Sequence, residues 1–437
     1  MRLWLKTEAK RVVDEAEDIR NVGKIVSKLL NRTTARDVVD FVKGQILVSL
    51  ADFDQDPDIA VALNGVINLS SGELLPHSSK RLVTQHIEID YKPDARHEDW
   101  SSALTALDDR AVARYLQVRC GQMLTGYPTS DDKMLVFQGG GSNGKSAVLT
   151  AIMNAFGSYS VAVPDKMLAG DSRSHSTELM VLRGSRMAVQ EETAEGHHLD
   201  IKTLKRILGT HEVTARYVHR DNITFKSTWG VVLTSNYRLS VSEIDNGTWR
   251  RLEEIPFPLT YVDPATRPNG AFAPHERARD NGLRDRLIEG EAQREAVLAW
   301  LVRGAVAWYE HDRTLPPPPE RVARGTSEWR ASNDLLAGFV QENLTITNNT
   351  SDVVWQTELL GEFNNYLSAN GLSSWSVKTF RARAELSLAQ EHGIEIKERV
   401  RSSSIKSLSR PKSTTGYQID YPIAERGTFL YGLRFAH

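Results

Sequence analysis

Phe137-Gln-Gly-Gly-Gly-Ser-Asn-Gly-Lys-Ser146 is the stretch on which the reading of this chain turns. Gly139 is followed by four residues and then by Gly144-Lys145-Ser146, the spacing G-x-x-x-x-G-K-[ST]. Glycines let the backbone curl so that successive N–H groups point inward at a polyphosphate. The pattern therefore predicts a cradle made by Gly139, Gly140, Gly141, Ser142, Asn143 and Gly144. Lys145 would reach the outer phosphates, and the Ser146 hydroxyl would sit on Mg²⁺. The flanks agree with that setting. Lys133 to Phe137 is a short apolar run of strand type, and Ser146 to Phe156 (SAVLTAIMNAF) spaces its apolar residues as a helix does.

The bulk numbers exclude several classes. The chain has 437 residues, 40% hydrophobic and 25% charged, with a formal charge of −2. That is ordinary globular composition spread over more than one domain, and any nucleic-acid contact must come from local basic patches. Cys120 is the single cysteine, so no internal disulfide and no cysteine-based zinc cluster can form, and a reducing interior fits best. The N-terminus carries no apolar signal core. The longest apolar stretch, Val297 to Trp308, is short and contains Arg303, so no membrane contact is expected. The expected compartment is the cytoplasm of a bacterial or equivalent host cell.

A phosphate cradle needs acids at the end of a second buried strand. Arg186-Met-Ala-Val-Gln190 is such a strand and ends in Glu191-Glu192. One carboxylate would join the Mg²⁺ shell and the other would orient the attacking water. Trp229 to Ser235 is a further apolar strand, ending at Asn236, which could hydrogen-bond the γ-phosphate or the water. Arg250 and Arg251 follow, and either suits the positive charge that phosphoryl transfer gains from a neighbour. Between the acid strand and the Asn236 strand lies a basic region, Ile201 to Lys226. Glu212 to His219 and Ile223 to Thr228 read there as a hairpin, either presenting His219 and Arg220 to a polyanion or simply solvated. His197-His198 lack a spaced set of partner ligands and are expected to be solvated.

These pieces in this order resemble the superfamily 3 helicases, in the phage and plasmid primase-associated branch that includes the poxvirus primase-helicase. The residues that carry the resemblance are GGGSNGKS at 139–146, LRGSRMAVQEE at 182–192, LDIKTLKRILG at 199–209, VTARYVHRDNITF at 213–225, WGVVLTSN at 229–236 and TWRRLEEIPF at 248–257. ALNGVINLSSGELLPH at 62–77 and the proline spacer downstream are also similar.

The resemblance implies an α/β fold with a P-loop ATPase core of the AAA+ type. It implies an ATP- and Mg²⁺-dependent motor, a homo-oligomeric ring and usually a hexamer, moving 3′ to 5′ on single-stranded and forked DNA in phage, prophage or plasmid replication. Glu192 aligns with the family's acid, Glu191 is the adjacent acid, and Asn236 is the polar sensor. Arg250 or Arg251 is the finger in a neighbour's site. Lys205, Arg216, His219 and Arg220 fall in the motif tied to the DNA-binding hairpin, although Arg216 could instead face the nucleotide. Gly209-Thr-His211-Glu212 departs from the family's usual Gly-Gly-Asp. No paired-Asp primase site is found, so no primer synthesis is expected, and a separate primase or polymerase is an expected partner. The alternative reading is a DNA-stimulated ATPase for origin binding or packaging, without processive unwinding. A small-molecule kinase would need an acceptor pocket and no basic hairpin.

The expected domains are 1–125, helical with a small β region at 51–95; 126–315, the ATPase core; and 316–437, opening at Pro316 to Pro319 and ending as a winged-helix-like α+β unit. Within 1–125, two helices are read over 8–50, the second capped by Thr33 or Thr34, a strand over His86 to Asp90, and helix over Glu98 to Thr125. Residues 258–282 read as a surface loop. The basic tail, including Lys378, Arg381, Arg383, Lys397, Arg399 and Arg401, either contacts duplex phosphates or caps the ring.

Overall fold

The computed structural model describes residues 31–45, 52–164, 167–168, 177–191, 198–217, 221–241, 245–267, 271–390, 392–411 and 424–436, with residues 7, 10, 11, 24, 26 and 27. The chain divides into two compact units, residues 1–56 with 78–84, and 57–77 with 85–437.

In the first unit the helix Arg32–Gln45 is the main described element. Its start is earlier than Thr33 or Thr34, because the Asn31 side chain accepts from the Thr33 N–H at 2.9 Å and takes the capping role. Most of the helix expected before it lies outside the described residues.

The second unit opens with an antiparallel meander, β1 (Ile59–Ala62), β2 (Gly65–Asn68) and β3 (Leu74–Leu75). Gly65 is required at the first turn, since a Cβ there would lie 2.5 Å from the Leu75 carbonyl oxygen. His86 to Asp90 does not form the expected strand. Ile87 makes one bridge to Ala62, and the Asn64 side chain then takes the Tyr91 N–H at 2.9 Å, ending the ladder. The helical stretch expected over 98–125 consists of two helices, Glu98–Leu104 and Arg110–Leu124. Asp108 turns into the left-handed region (φ 49°) and the Asp109 carboxylate caps the second helix through the Ala111 and Val112 N–H groups.

The centre is a five-stranded sheet. In chain order the next strands are β4 (Met134–Gln138), β5 (Ser160–Ala162), β6 (Met187–Gln190), the hairpin β7 (Glu212–Arg216) and β8 (Asn222–Lys226), β9 (Gly230–Ser235) and β10 (Leu252–Pro256). The sheet runs β10-β4-β9-β6-β5, every neighbour parallel. Both faces are buried, which is why these strands are near-continuously apolar. Successive side chains alternate between faces. Leu135 and Phe137 join one cluster with the helices 110–124, 145–156 and 291–310. Met134 and Val136 join the other with Trp229 and Trp329. Helices Arg110–Leu124 and Glu291–Glu310 cross at glycine, where a Cβ on Gly304 would sit 2.0 Å from the Gln117 carbonyl oxygen.

Two expectations change beyond the sheet. The 258–282 stretch is not simply a loop. It holds β11 (Thr260–Val262) paired in parallel with β12 (Glu276–Ala278). After the prolines, Glu320–Asn333 is a helix that buries Trp329 against Trp249, ring centroids 5.3 Å apart in edge-to-face geometry. This helix thus packs with the sheet. The C-terminal segment beyond Asn333 has its own core: helix Leu335–Asn343, β13 (Leu344–Ile346), β14 (Val353–Trp355), helices Gln356–Ala369 and Val377–Ala384, β15 (Glu395–Arg401), β16 (Arg426–Tyr431) and β17 (Leu433–Phe435). No helix among the described residues is long and apolar enough to cross a membrane.

One ion pair fastens the helix Glu98–Leu104 to the helix Leu283–Glu289. Arg286 donates to both Asp99 oxygens at 2.8 and 3.0 Å, and Gln293 adds a bond at 3.0 Å. Those donors, Arg286 first, hold the Asp99 carboxyl down at about 2. A depressed acid stabilises the fold above its ordinary value of 3.8, and loses that contribution as pH falls through about 2. Asp99→Asn should therefore melt below the native chain by a constant margin above pH 4, with the margin closing between pH 4 and 2 in thermal melts.

Candidate nucleotide site

The glycine-rich stretch joins β4 to the helix Lys145–Phe156. Gly144 stands at φ 84°, as the turn into the helix requires. A Cβ on Gly139 would lie 2.3 Å from Asn143 Nδ2 and 2.4 Å from the Phe257 carbonyl oxygen, so only glycine fits there. Gly140 and Gly141 have no atom within 4 Å of where a Cβ would stand, and so face open space.

The register of the sheet decides what faces this loop. Because β9 neighbours β4, Gln138 pairs with Ser235 and the next residue, Asn236, stands beside the loop. Because β6 neighbours β9, Gln190 pairs with Leu233 and Glu191 emerges at the same edge. Ligands of open α/β sheets collect at this carboxyl end of the strands. A cleft of about 260 Å³ lies there, lined by Gly141 to Ala147, Leu149, Thr150, Glu191 and Thr234 to Asn236.

Lys145 is buried. Its ammonium donates to Gly139 O at 2.6 Å, Asn236 Oδ1 at 3.0 Å and Asn143 Oδ1 at 3.1 Å. Phosphate oxygens are stronger, charged acceptors for the same protons. Asn143 Nδ2 is buried with no hydrogen-bond partner, a donor left over on a residue that lines the cleft. Room over Gly140 and Gly141, a buried ammonium and a spare donor all fit a polyphosphate. The described residues hold no group of three His, Cys, Asp or Glu able to bind a metal. Ser146 and Glu191 instead fit a hard cation whose shell is completed by water and phosphate oxygens.

The remaining predicted residues are sorted by the fold. Glu192, His219 and Arg220 lie outside the described residues, as does His197. Arg250 is exposed. Arg251 is not equivalent, since it donates to Gly247 O at 2.5 Å and pairs with Asp132 at 3.7 Å. Lys205 stands 3.6 Å from Asp245, at the N-cap of the helix Asn246–Trp249 that leads to Arg250. The β7–β8 hairpin forms as expected, antiparallel, with Val213 and Ala215 buried and Glu212, Thr214, Arg216, Asn222, Thr224 and Lys226 exposed. Arg216 ends β7 on that exposed face, next to the exposed Tyr217.

Two residues outside the expected set touch the loop. The Tyr261 N–H donates to Ser142 O at 2.7 Å. Arg279 donates to Ser142 Oγ at 2.8 Å and to Tyr261 O at 3.1 Å. Both come from the stretch expected to be a surface loop, where the Pro, Gly and Asp content masks a short pair of strands.

Comparisons with known proteins agree with the resemblance. A family described as "D5 N terminal like" matches residues 2–107. A protein provisionally named helicase L207/L206, of Acanthamoeba polyphaga mimivirus, is 23% identical over 84% of this chain and 39% of its own length. One provisionally named primase C962R, of African swine fever virus, is 24% identical over 81% of this chain and 39% of its length. One provisionally named helicase 022R, of Frog virus 3, is 27% identical over 49% of this chain and 22% of its length. The chain thus spans about two fifths of the length of the first two relatives. Among solved structures, the apo C-terminal region of NrS-1 aligns loosely, with TM-score 0.41 and 12% identity over 84% of this chain and 88% of that one.

Proposed function

We propose that this chain, a D5-like relative of the helicases and primases of large DNA viruses, is the ATP-driven motor of a DNA helicase, assembled as a homo-oligomeric ring and moving 3′ to 5′ on single-stranded DNA. The observation that carries the proposal is the convergence of Lys145, Asn236 and Glu191 at one sheet edge, with a hairpin inserted between the acid strand and the Asn236 strand. The strand order, in which β9 separates the loop strand from the acid strand, supports an AAA+ type of core.

In this reading Lys145 binds the outer phosphates and Asn236 aligns the γ-phosphate or the attacking water. Ser146, Glu191 and Glu192 would hold Mg²⁺, which when bound supplies charge neutralisation for the transferring phosphoryl group. Arg250 is the finger given to a neighbouring subunit, because it is exposed while Arg251 is engaged at home. Arg216, with His219 and Arg220 beyond it, would grip phosphates at the hairpin end, and Lys205 would act from the helix behind. The C-terminal order of a helix, two strands, two helices and three strands supports a winged-helix-like unit. Its exposed Lys378 and Arg399 suit duplex phosphates, while Arg381 is spent on Glu385 and Glu398 and Lys397 on Glu395.

The test is a fork-unwinding assay with tails of both polarities, run beside mass measurement of the assembly. ATP-dependent opening of the 3′-tailed fork by an oligomer is expected. DNA-stimulated hydrolysis with neither fork opened would replace the helicase reading with that of an origin-binding or packaging ATPase.

A further inference from the structure

The site has a direction. Its phosphate end is marked by Lys145, Asn236 and Glu191. A nucleoside triphosphate lying along the loop N–H groups, with its last phosphate at that end, must carry its nucleoside out past the opposite flank of the loop. Beside the loop, against Gly144, stands an aromatic ring. The Tyr261 ring lies against Gly144, its Cε2 3.3 Å from where a Cβ would stand, and Ala106 closes the same position at 2.9 Å. The Tyr261 hydroxyl shares a hydrogen bond with Thr105 at 3.3 Å.

The ring is held there from three sides. Its backbone N–H is spent on Ser142 O, and Arg279 ties Tyr261 O to the Ser142 hydroxyl. The β11–β12 pairing sets the register that places Tyr261 opposite Arg277, and the Arg279 N–H donates to Val262 O at 2.9 Å. Arg267 and Glu276 lock the ribbon by a two-bond pair. Ser142 itself adopts φ 58°, a conformation a non-glycine residue keeps only when its surroundings hold it. The loop and the ring are thus one fastened assembly.

The chemistry of this flank differs from that of the phosphate end. It offers an aromatic ring that is only partly buried and the hydroxyl of the exposed Thr105. An aromatic surface is what a nucleobase stacks on, whatever its sequence identity, and a hydroxyl suits a ribose. Gly144 contributes by having no side chain between the ring and the loop.

We infer that Tyr261 is the surface on which the nucleoside of the bound triphosphate rests, with Arg279 as the positioning residue that fastens it to the phosphate loop. The inference rests on the nucleotide-site reading above and deepens it. It makes the 258–282 stretch a part of the site rather than a connection. It also makes preference for a nucleotide over a bare polyphosphate a property of Tyr261, separate from the affinity for phosphate that Lys145 supplies.

The experiment is calorimetric titration of the full chain with ATP and, separately, with inorganic tripolyphosphate. The variants are Tyr261→Leu, which keeps an apolar side chain but removes the ring, Tyr261→Phe, which keeps the ring, and Arg279→Ala. The quantity read is the ratio of the two affinities. Stacking on one aromatic side chain is worth at least about a fivefold change. The ratio should fall by about that factor or more in Tyr261→Leu, stay near native in Tyr261→Phe, and fall by a smaller factor in Arg279→Ala. An unchanged ratio in a Tyr261→Leu protein that melts as the native chain does would overturn the inference. So would an equal fall in Tyr261→Phe, since the hydroxyl and not the ring would then be responsible. Should Tyr261→Leu fail to fold, the Arg279→Ala ratio decides: unchanged, it removes the positioning role and the inference with it. Undiminished ATP binding by Lys145→Ala would sink the nucleotide-site reading itself, a result that the Tyr261 ratios do not mimic.

Discussion

Lys145→Ala is expected to lose ATP hydrolysis by at least about 10²–10³-fold, the usual cost of removing one preorganised charge stabiliser. The native ammonium is buried, and the Gly139, Asn143 and Asn236 oxygens it meets belong to the nucleotide loop or to the strand end beside it. Alanine also removes the bond from Lys145 to Asn236, at the carboxyl end of β9, along with the charge. The fold should survive, because the helix that begins at Lys145 is held by Val148, Leu149 and Ile152 in the core. A steady-state hydrolysis assay, with thermal melting as the control, reads the result. Hydrolysis within tenfold of native would show that the loop is not the catalytic phosphate site.

Arg250→Ala is expected to cost more, about 10³–10⁵-fold in kcat, the range for an arginine finger supplied by a neighbour. The two arginines are adjacent in sequence but not in role. Arg251 is tied to Gly247 and Asp132, so Arg251→Ala should lower stability more than it lowers turnover. Arg250 is exposed at the end of the helix Asn246–Trp249, where in the proposed ring it would serve another subunit. The decisive measurement mixes two inactive proteins. Arg250→Ala keeps an intact Lys145, and Lys145→Ala keeps an intact Arg250. In a ring, some interfaces then join a good loop to a good finger, and part of the hydrolysis returns. If no mixing ratio restores activity although the two proteins co-assemble, the finger does not act across subunits.

The way these residues become legible differs from one to the next. Gly139, Lys145 and Ser146 need only spacing, because a backbone cradle is a local object built from consecutive residues. The strands before Glu191 and Asn236 are legible because a parallel sheet covered on both faces demands continuous apolar runs. The hairpin strands show as alternation, since one face is buried and the other exposed. The helix Glu320–Asn333 escapes such a reading because its apolar residues are sparse and a proline run precedes it. Only its burial of Trp329 against Trp249 shows that it packs with the sheet. The break at Asp108 escapes it because one residue in the left-handed region leaves no periodic trace.

Local order in the chain was enough for the phosphate loop, its strand and helix, and the acid and amide strands downstream, since each depends on spacing or burial over a few residues. Tertiary structure alone decided that β9 lies between β4 and β6, and so that Asn236 reaches Lys145. It alone separated Arg250 from Arg251, and it alone brought Tyr261 and Arg279 to Ser142 across more than a hundred residues. The physical reason is the same in each case. Register, burial and long-range hydrogen bonds are properties of which segments become neighbours, and a neighbour's identity is not written in the local pattern of either one.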